Sequence, residues 1–131
     1  MSKQSALLSA SSSSLLLEVV DGALVIQHWG APIHGDLASV QTAIRPSIAN
    51  SSWDEPQFPG IMRESSRGFL GRPTLSGHRN GKAWSTKFEV TDFHHQKNHV
   101  AITFRDLHAE LEVVISFDLD KHGVLFQRAT V

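Results

Sequence analysis

Leu111, Val113, Ile115, Phe117 and Leu119 fall on one parity of the chain, while Glu112, Ser116 and Asp118 fall on the other. Only Val114 puts an apolar residue on the polar side. Successive side chains of a strand point to opposite faces, so this period of two specifies a half-buried strand and not an amphipathic helix. Two further segments carry the same signature. Val100, Ile102 and Phe104 alternate with Ala101 and Thr103, and Trp84, Thr86, Phe88 and Val90 alternate with Ser85, Lys87 and Glu89. Turns are predicted at Gln96-Lys97-Asn98, at Arg105-Asp106 and at Lys121-His122-Gly123, and Val124–Val131 reads as a last strand. Strands with one apolar and one polar face, joined by short turns, suit antiparallel sheets.

The first part of the chain adds a hairpin. Leu15–Val20 and Ala23–Trp29 are apolar runs separated by Asp21-Gly22, a pair suited to a type I′ turn, where both central residues take positive φ. Residues 1–14, with Ser11–Ser14, read as a flexible polar lead-in, and 15–131 as one domain. Residues 37–57 read as irregular, because Pro46 breaks the weak helical spacing of Leu37, Val40 and Ile44. With no convincing helix in the pattern, the expected fold class is all-β, an antiparallel β-sandwich. Nothing after Gly123 signals an end to the last strand, so the expectation is a domain cut from a longer one.

Composition narrows the function classes. Twelve basic and thirteen acidic residues give a net charge of -1, without the basic field that phosphate neutralisation demands, so no nucleic-acid partner is expected. The absence of cysteine excludes disulfides, thiolate metal sites and a cysteine nucleophile. Serines interrupt the N-terminal leucines, leaving no continuous apolar core for a secretory leader, and no stretch approaches the ~20 apolar residues of a membrane span. A cytoplasmic location is expected.

Between the hairpin and the alternating strands, Phe58–Val90 is rich in turn residues (Pro59, Gly60, Gly68, Gly71, Pro73) and basic residues (Arg63, Arg67, Arg72, Arg79, Lys82). A long irregular stretch of this kind inside a compact domain is commonly functional. Arginine's planar fork suits carboxylates, phosphates and vicinal hydroxyls. The simpler reading is a solvated loop with one local Arg63–Glu64 or Arg67–Glu64 pair. His94, His95 and His99 read as turn histidines, since no carboxylate or further histidine lies nearby in sequence to complete a metal shell. No serine elbow and no facing pair of acids is evident, so no metal, cofactor or catalytic residue is assigned. Trp84 and Trp29 read as core or semi-core; Trp53, in a polar loop, is left available for a ligand or an interface.

Three pieces in order carry a family resemblance: His28-Trp29-Gly30; the loop from Arg67 through Gly68, Phe69, Leu70, Gly71, Arg72, Pro73 and Gly77 to His78-Arg79; and a closing Phe126-Gln127-Arg128. From about Leu15 to Val131 the chain resembles the N-terminal region of the melibiase-type α-galactosidases, glycoside hydrolase family 36, and within it the actinobacterial branch. The resemblance implies the leading part of a galactose-mutarotase-like β-supersandwich, followed in the parent enzyme by a catalytic TIM barrel with an aspartate nucleophile and an aspartate acid/base. That parent would release terminal α-galactose with retention, and this portion alone would be inactive. The implied partners are α-galactoside sugars through the parent enzyme, the TIM barrel and, with an open sheet edge, a homo-oligomer. Aligned on Pro73, Phe69 and Gly71 stand where many members of the family carry an aspartate and an arginine near the substrate. The loop is therefore assigned either to the lip of the site or to domain docking, with Trp53, Phe69, Arg72, His78 and Arg79 as the candidates. A stand-alone carbohydrate-binding or oligomerisation β-domain is the alternative.

Overall fold

The computed structural model describes residues 4–37 and 60–131. Apart from one 3₁₀ turn, one isolated bridge and a helical residue at Leu37, two antiparallel sheets account for the regular structure described, and the remainder of the stretch 37–57 lies outside the described residues. The first sheet runs β1 (Ser5–Ser9), β2 (Ser14–Val20), β3 (Ala23–Gly30). The second runs β4 (Glu89–Gln96), β5 (His99–Asp106), β6 (Leu111–Leu119), β7 (Leu125–Thr130). Both are meanders in which each strand pairs with its sequence neighbour.

The alternation seen in the sequence sets the packing. Val100, Ile102 and Phe104 of β5 stand opposite Phe117, Ile115 and Val113 of β6, and all six are buried. They form one apolar cluster with Ala6, Leu8, Leu15, Leu17 and Leu24 of the other sheet, together with Met62 and Phe88. Two sheets facing one another across a shared core make a β-sandwich, as expected. Burying a side chain of this size contributes about 2 kcal/mol, so this layer is the main source of stability. No helix among the described residues is long and apolar enough to cross a membrane.

The turns follow local chemistry. Asp21 and Gly22 take φ of 49° and 75°, the double positive φ that the Asp-Gly pair predicts. Between β4 and β5 the turn is two residues, Lys97 and Asn98, because the register pairs Gln96 with His99; His95 lies opposite Val100 and does not flank the turn with His99. The predicted Arg105-Asp106 turn moves to 107–110. Asp106 ends β5, and its Oδ1 accepts the N–H groups of His108 and Ala109 at 2.9 Å each. Its Oδ2 accepts the Lys87 N–H at 2.8 Å. Burial by itself pushes the Asp106 carboxyl up, but the N–H groups of Ala109, Lys87 and His108 together outweigh it and hold the group below its ordinary value.

Two expectations are corrected. Residues 5–9 are not a flexible lead-in but β1, paired with β2 and burying Ala6 and Leu8. The serines that follow form its turn, and their hydroxyls meet carbonyls elsewhere in the fold. Trp84 does not open a core strand: β4 begins at Glu89, and Trp84 is 73% exposed. Ala83 takes φ 52°, and the Lys87 N–H is held by a side chain, so the segment between them does not join a ladder. Phe88 is buried in the core, and Val90 packs against it partly buried. Trp29, near the end of β3, is half exposed.

Candidate functional site

The turn-rich stretch is tied down at its base by a buried ion pair. Glu64 precedes a 3₁₀ turn at Ser65–Arg67, which Gly68 closes in the left-handed region at φ 81°. The Glu64 carboxylate is 2% exposed; its Oε1 accepts the Phe88 N–H at 2.8 Å and its Oε2 the Arg67 Nε–H at 3.1 Å. Arg67 spends the rest of its fork on Phe88 O (2.8 Å), Glu89 Oε1 (3.1 Å) and Asp21 O (3.2 Å). One guanidinium therefore joins the loop to the β2–β3 turn and to the start of β4. Burial pushes the Glu64 carboxyl above its ordinary value, against the opposing pull of the Phe88 N–H and of Arg67. The Ser66 hydroxyl adds a bond to Thr86 O.

Beyond this base the loop closes on itself. Arg63 and Thr74 exchange two bonds, Arg63 N–H to Thr74 Oγ1 and Thr74 N–H to Arg63 O, both 2.9 Å. The Arg63 guanidinium sits 5.5 Å from the centre of the Phe69 ring, a cation–π distance. The ring also lies over Gly71, where an added Cβ would come within 2.6 Å of it. Phe69 is thus occupied by its own loop. Leu70 is fully exposed, and Arg72 is exposed and meets no acceptor among the described residues.

A second small hairpin follows. Asn80 and Gly81, at φ 49° and 79°, turn the chain so that Arg79 and Lys82 exchange two bonds of 2.9 Å. His78 Nδ1 accepts the Gly81 N–H at 3.1 Å, so the neutral ring carries its proton on Nε2, facing outward. Arg79 reaches the β5–β6 turn, donating to Ala109 O at 3.1 Å and to Glu110 O at 3.4 Å. Between the hairpin and that turn lies a cavity of about 320 Å³, its walls including Leu75, Ala83, Ala109 and Leu111, with His78 and Arg79 among the lining residues.

The structure brings His78 and Arg79 together on this cavity, and it gives Arg79 a bracing task. Phe69 and Arg72 sit on the adjoining loop and do not line the cavity. Trp53 lies outside the described residues. The sequence reading undervalued Glu64 and Arg67, whose pair is buried, and it passed over Asn80-Gly81, a strong hairpin signal. Among the described residues no group of three histidines or acids is placed to hold a metal ion. His99 instead bonds Asp118 at 2.7 Å, and His95 bonds Lys97 O at 2.9 Å. No Asp or Glu side chain lines the cavity, so it offers an apolar pocket edged by donors and not an acid/base pair.

The family model described as the glycosyl hydrolase family 36 N-terminal domain matches residues 22–131. An α-galactosidase from Escherichia coli is 30% identical over 122 residues, which make up 90% of this chain but 16% of the relative's length. No solved structure gives a significant match. The family match runs from the Asp21-Gly22 turn to the end of the chain and takes in the braced loop, the small hairpin and the cavity, so the chain belongs to glycosyl hydrolase family 36 as its N-terminal domain.

Proposed function

We propose that this domain is the non-catalytic front part of an enzyme that hydrolyses terminal α-galactosides, docking on its catalytic barrel and lending the loop 63–79 to the lip of the active site. The observation that carries this reading is the family match together with the likeness to an α-galactosidase. The geometry supports it in one respect. The loop is held at both ends, so it presents exposed donors from a fixed base, as a lip residue requires. Arg72 and the outward nitrogen of His78 are the donors left for a sugar hydroxyl, while Arg79 and Phe69 hold the surrounding backbone. The acids of the chemistry belong to the barrel, so this chain contributes to substrate binding and not to bond cleavage.

The test uses the full-length enzyme with Arg72→Ala and His78→Ala. A lip role predicts that KM for a raffinose-type sugar rises by about fivefold or more while kcat holds within about twofold. Unchanged KM in both variants would remove the lip role. Turnover by the purified 131-residue chain would show that the domain is catalytic after all.

A further inference from the structure

His94 and His99, together with Arg128 of the Phe126-Gln127-Arg128 run, share the outward face of the second sheet. Val100, Phe117 and Leu125 pack into the core, so their neighbours His99, Asp118 and Phe126 face away from it. The register sets these three in one row across β5, β6 and β7, with Gln96 of β4 at its end. The next outward row is His94, Ala101, Ser116 and Arg128. Ala101 and Ser116 are small, which leaves a shallow floor between His94 and Arg128, whose backbones stand roughly 14 Å apart by strand spacing.

Asp118 is the hub of the two rows. His99 Nδ1 lies 2.7 Å from its Oδ1, and Arg128 Nη1 donates to its Oδ2 at 3.3 Å. A carboxylate only accepts, so His99 carries a proton on Nδ1 and, when neutral, keeps Nε2 as an acceptor. Directly opposite Asp118 is Phe126, half exposed, with the Cβ atoms of such a pair about 5 Å apart. The turns beside the first row are pinned from the other sheet. Ser11, Ser12 and Ser13 donate their hydroxyls to the carbonyls of Lys121, His122 and Gly123 at 3.2, 3.2 and 3.3 Å, and Asn98 exchanges two bonds with Ser9. The cluster therefore sits on fixed backbone, at the opposite end of β5 from the turn that Arg79 braces. Exposed ion pairs contribute little stability, so folding alone does not account for two donors gathered on one acid beside an open ring.

We infer that this cluster is a saccharide-binding site, separate from the lip loop, that takes the terminal galactosyl unit of an uncharged α-galactoside. The Phe126 ring meets the apolar C–H side of the sugar, Asp118 accepts from one hydroxyl, and Arg128 donates to its neighbour. Arg128 and Asp118 cancel in charge, and a phosphate or carboxylate ligand would meet the Asp118 carboxylate. The charged centre also disfavours a protein partner, since the cores of such interfaces are depleted of charge. The sugar class follows from the rows themselves, while the choice of a galactoside rests on the functional reading above.

The test places 4-fluorophenylalanine at position 126 of the full-length enzyme and follows its fluorine resonance as a thio-linked α-galactoside, which resists hydrolysis, is added. A saturable shift is expected in the millimolar range. Asp118→Ala and Arg128→Ala should each weaken it about tenfold, the loss of one charged hydrogen-bond partner, whereas Arg72→Ala should keep it. No saturable shift in an enzyme that cleaves α-galactosides overturns the site and leaves the functional reading standing. A saturable shift in a full-length protein without that activity does the reverse. A shift that both alanine variants leave unchanged, or an equal one with inorganic phosphate, also overturns the site.

Discussion

Arg67 lies 3.1 Å from Glu64 and 2.8 Å from the carbonyl of Phe88, whose own N–H is held by the same Glu64. The pair thus reads both backbone groups of one residue at the point where the long loop rejoins the sheet. Because Arg67 also reaches Asp21 O on the other sheet, the loop is fixed to both layers of the sandwich.

Arg67→Ala should lower stability by about 3 kcal/mol, since it leaves a buried carboxylate without its counter-charge. Urea unfolding would measure this as a drop in midpoint at unchanged slope. Arg67→Lys should recover only a minority of the loss, because a single ammonium cannot span Glu64, Phe88 and Asp21 together. A lysine variant as stable as the wild type would mean that charge alone matters here.

The Glu64 carboxyl has a pH signature of definite sign. Its folded value is raised above the ordinary 4.5. Its contribution is therefore fully present below the ordinary value and is lost as pH rises through the folded value. Stability relative to Glu64→Gln should accordingly fall as the pH rises above the ordinary value of 4.5, as read from paired urea titrations. A difference that grows with pH would show that the attraction to Arg67 outweighs burial.

Asp106 works in the opposite direction. Its folded value lies below the ordinary 3.8, so its contribution is present above that value and is lost as acid brings the pH down through the folded value. Asp106→Ala strips three backbone N–H groups of their acceptor and should cost about 3 kcal/mol near neutral pH. The variant should also show a flatter acid limb in its stability–pH curve.

Leu8→Ala tests the first strand. A frayed lead-in would tolerate it, but Leu8 is fully buried in the shared core, so a loss of about 3 kcal/mol is expected in thermal or urea unfolding.

Gly22 separates two costs. An alanine there would hold φ 75° with a side chain, and its Cβ would fall 1.7 Å from Glu89 Oε2. Gly22→Ala should lose about 1–2 kcal/mol, and the same change made in a Glu89→Ala background should lose only about 1 kcal/mol relative to Glu89→Ala, the share of backbone strain.

What the sequence revealed, and what it hid, follows from how local each cause is. β5, β6 and the Asp21-Gly22 hairpin were legible because alternation and turn chemistry are written in adjacent residues. β1 was hidden because SALLS carries too few apolar residues to display a period. The serines after it act on carbonyls 110 residues away. Trp84 continued an alternation that the backbone abandons once Asp106 takes the Lys87 N–H. At the site, the turn-rich basic loop was plain from composition, and Asn80-Gly81 was there to be read. That Arg79 would be spent on Ala109 and Glu110, or that Glu64 would be buried beneath Arg67, depends on strands folding over the loop, which no local pattern records.

The seam between the serine turn and the β6–β7 turn has a consequence for the order of synthesis. Leu8, Leu15 and Leu17 leave the ribosome long before Val100, Ile115 and Phe117, the residues that cover them. Until β5 and β6 emerge the first hairpin is an apolar sheet face without its partner, and only after residues 121–123 emerge can Ser11–Ser13 latch. Contacts spanning this much chain form slowly, and the exposed interval is when strands find wrong neighbours. A nascent chain stalled before β6 should therefore be a substrate for chaperones, and one released just past Gly123 should already hold its first strand.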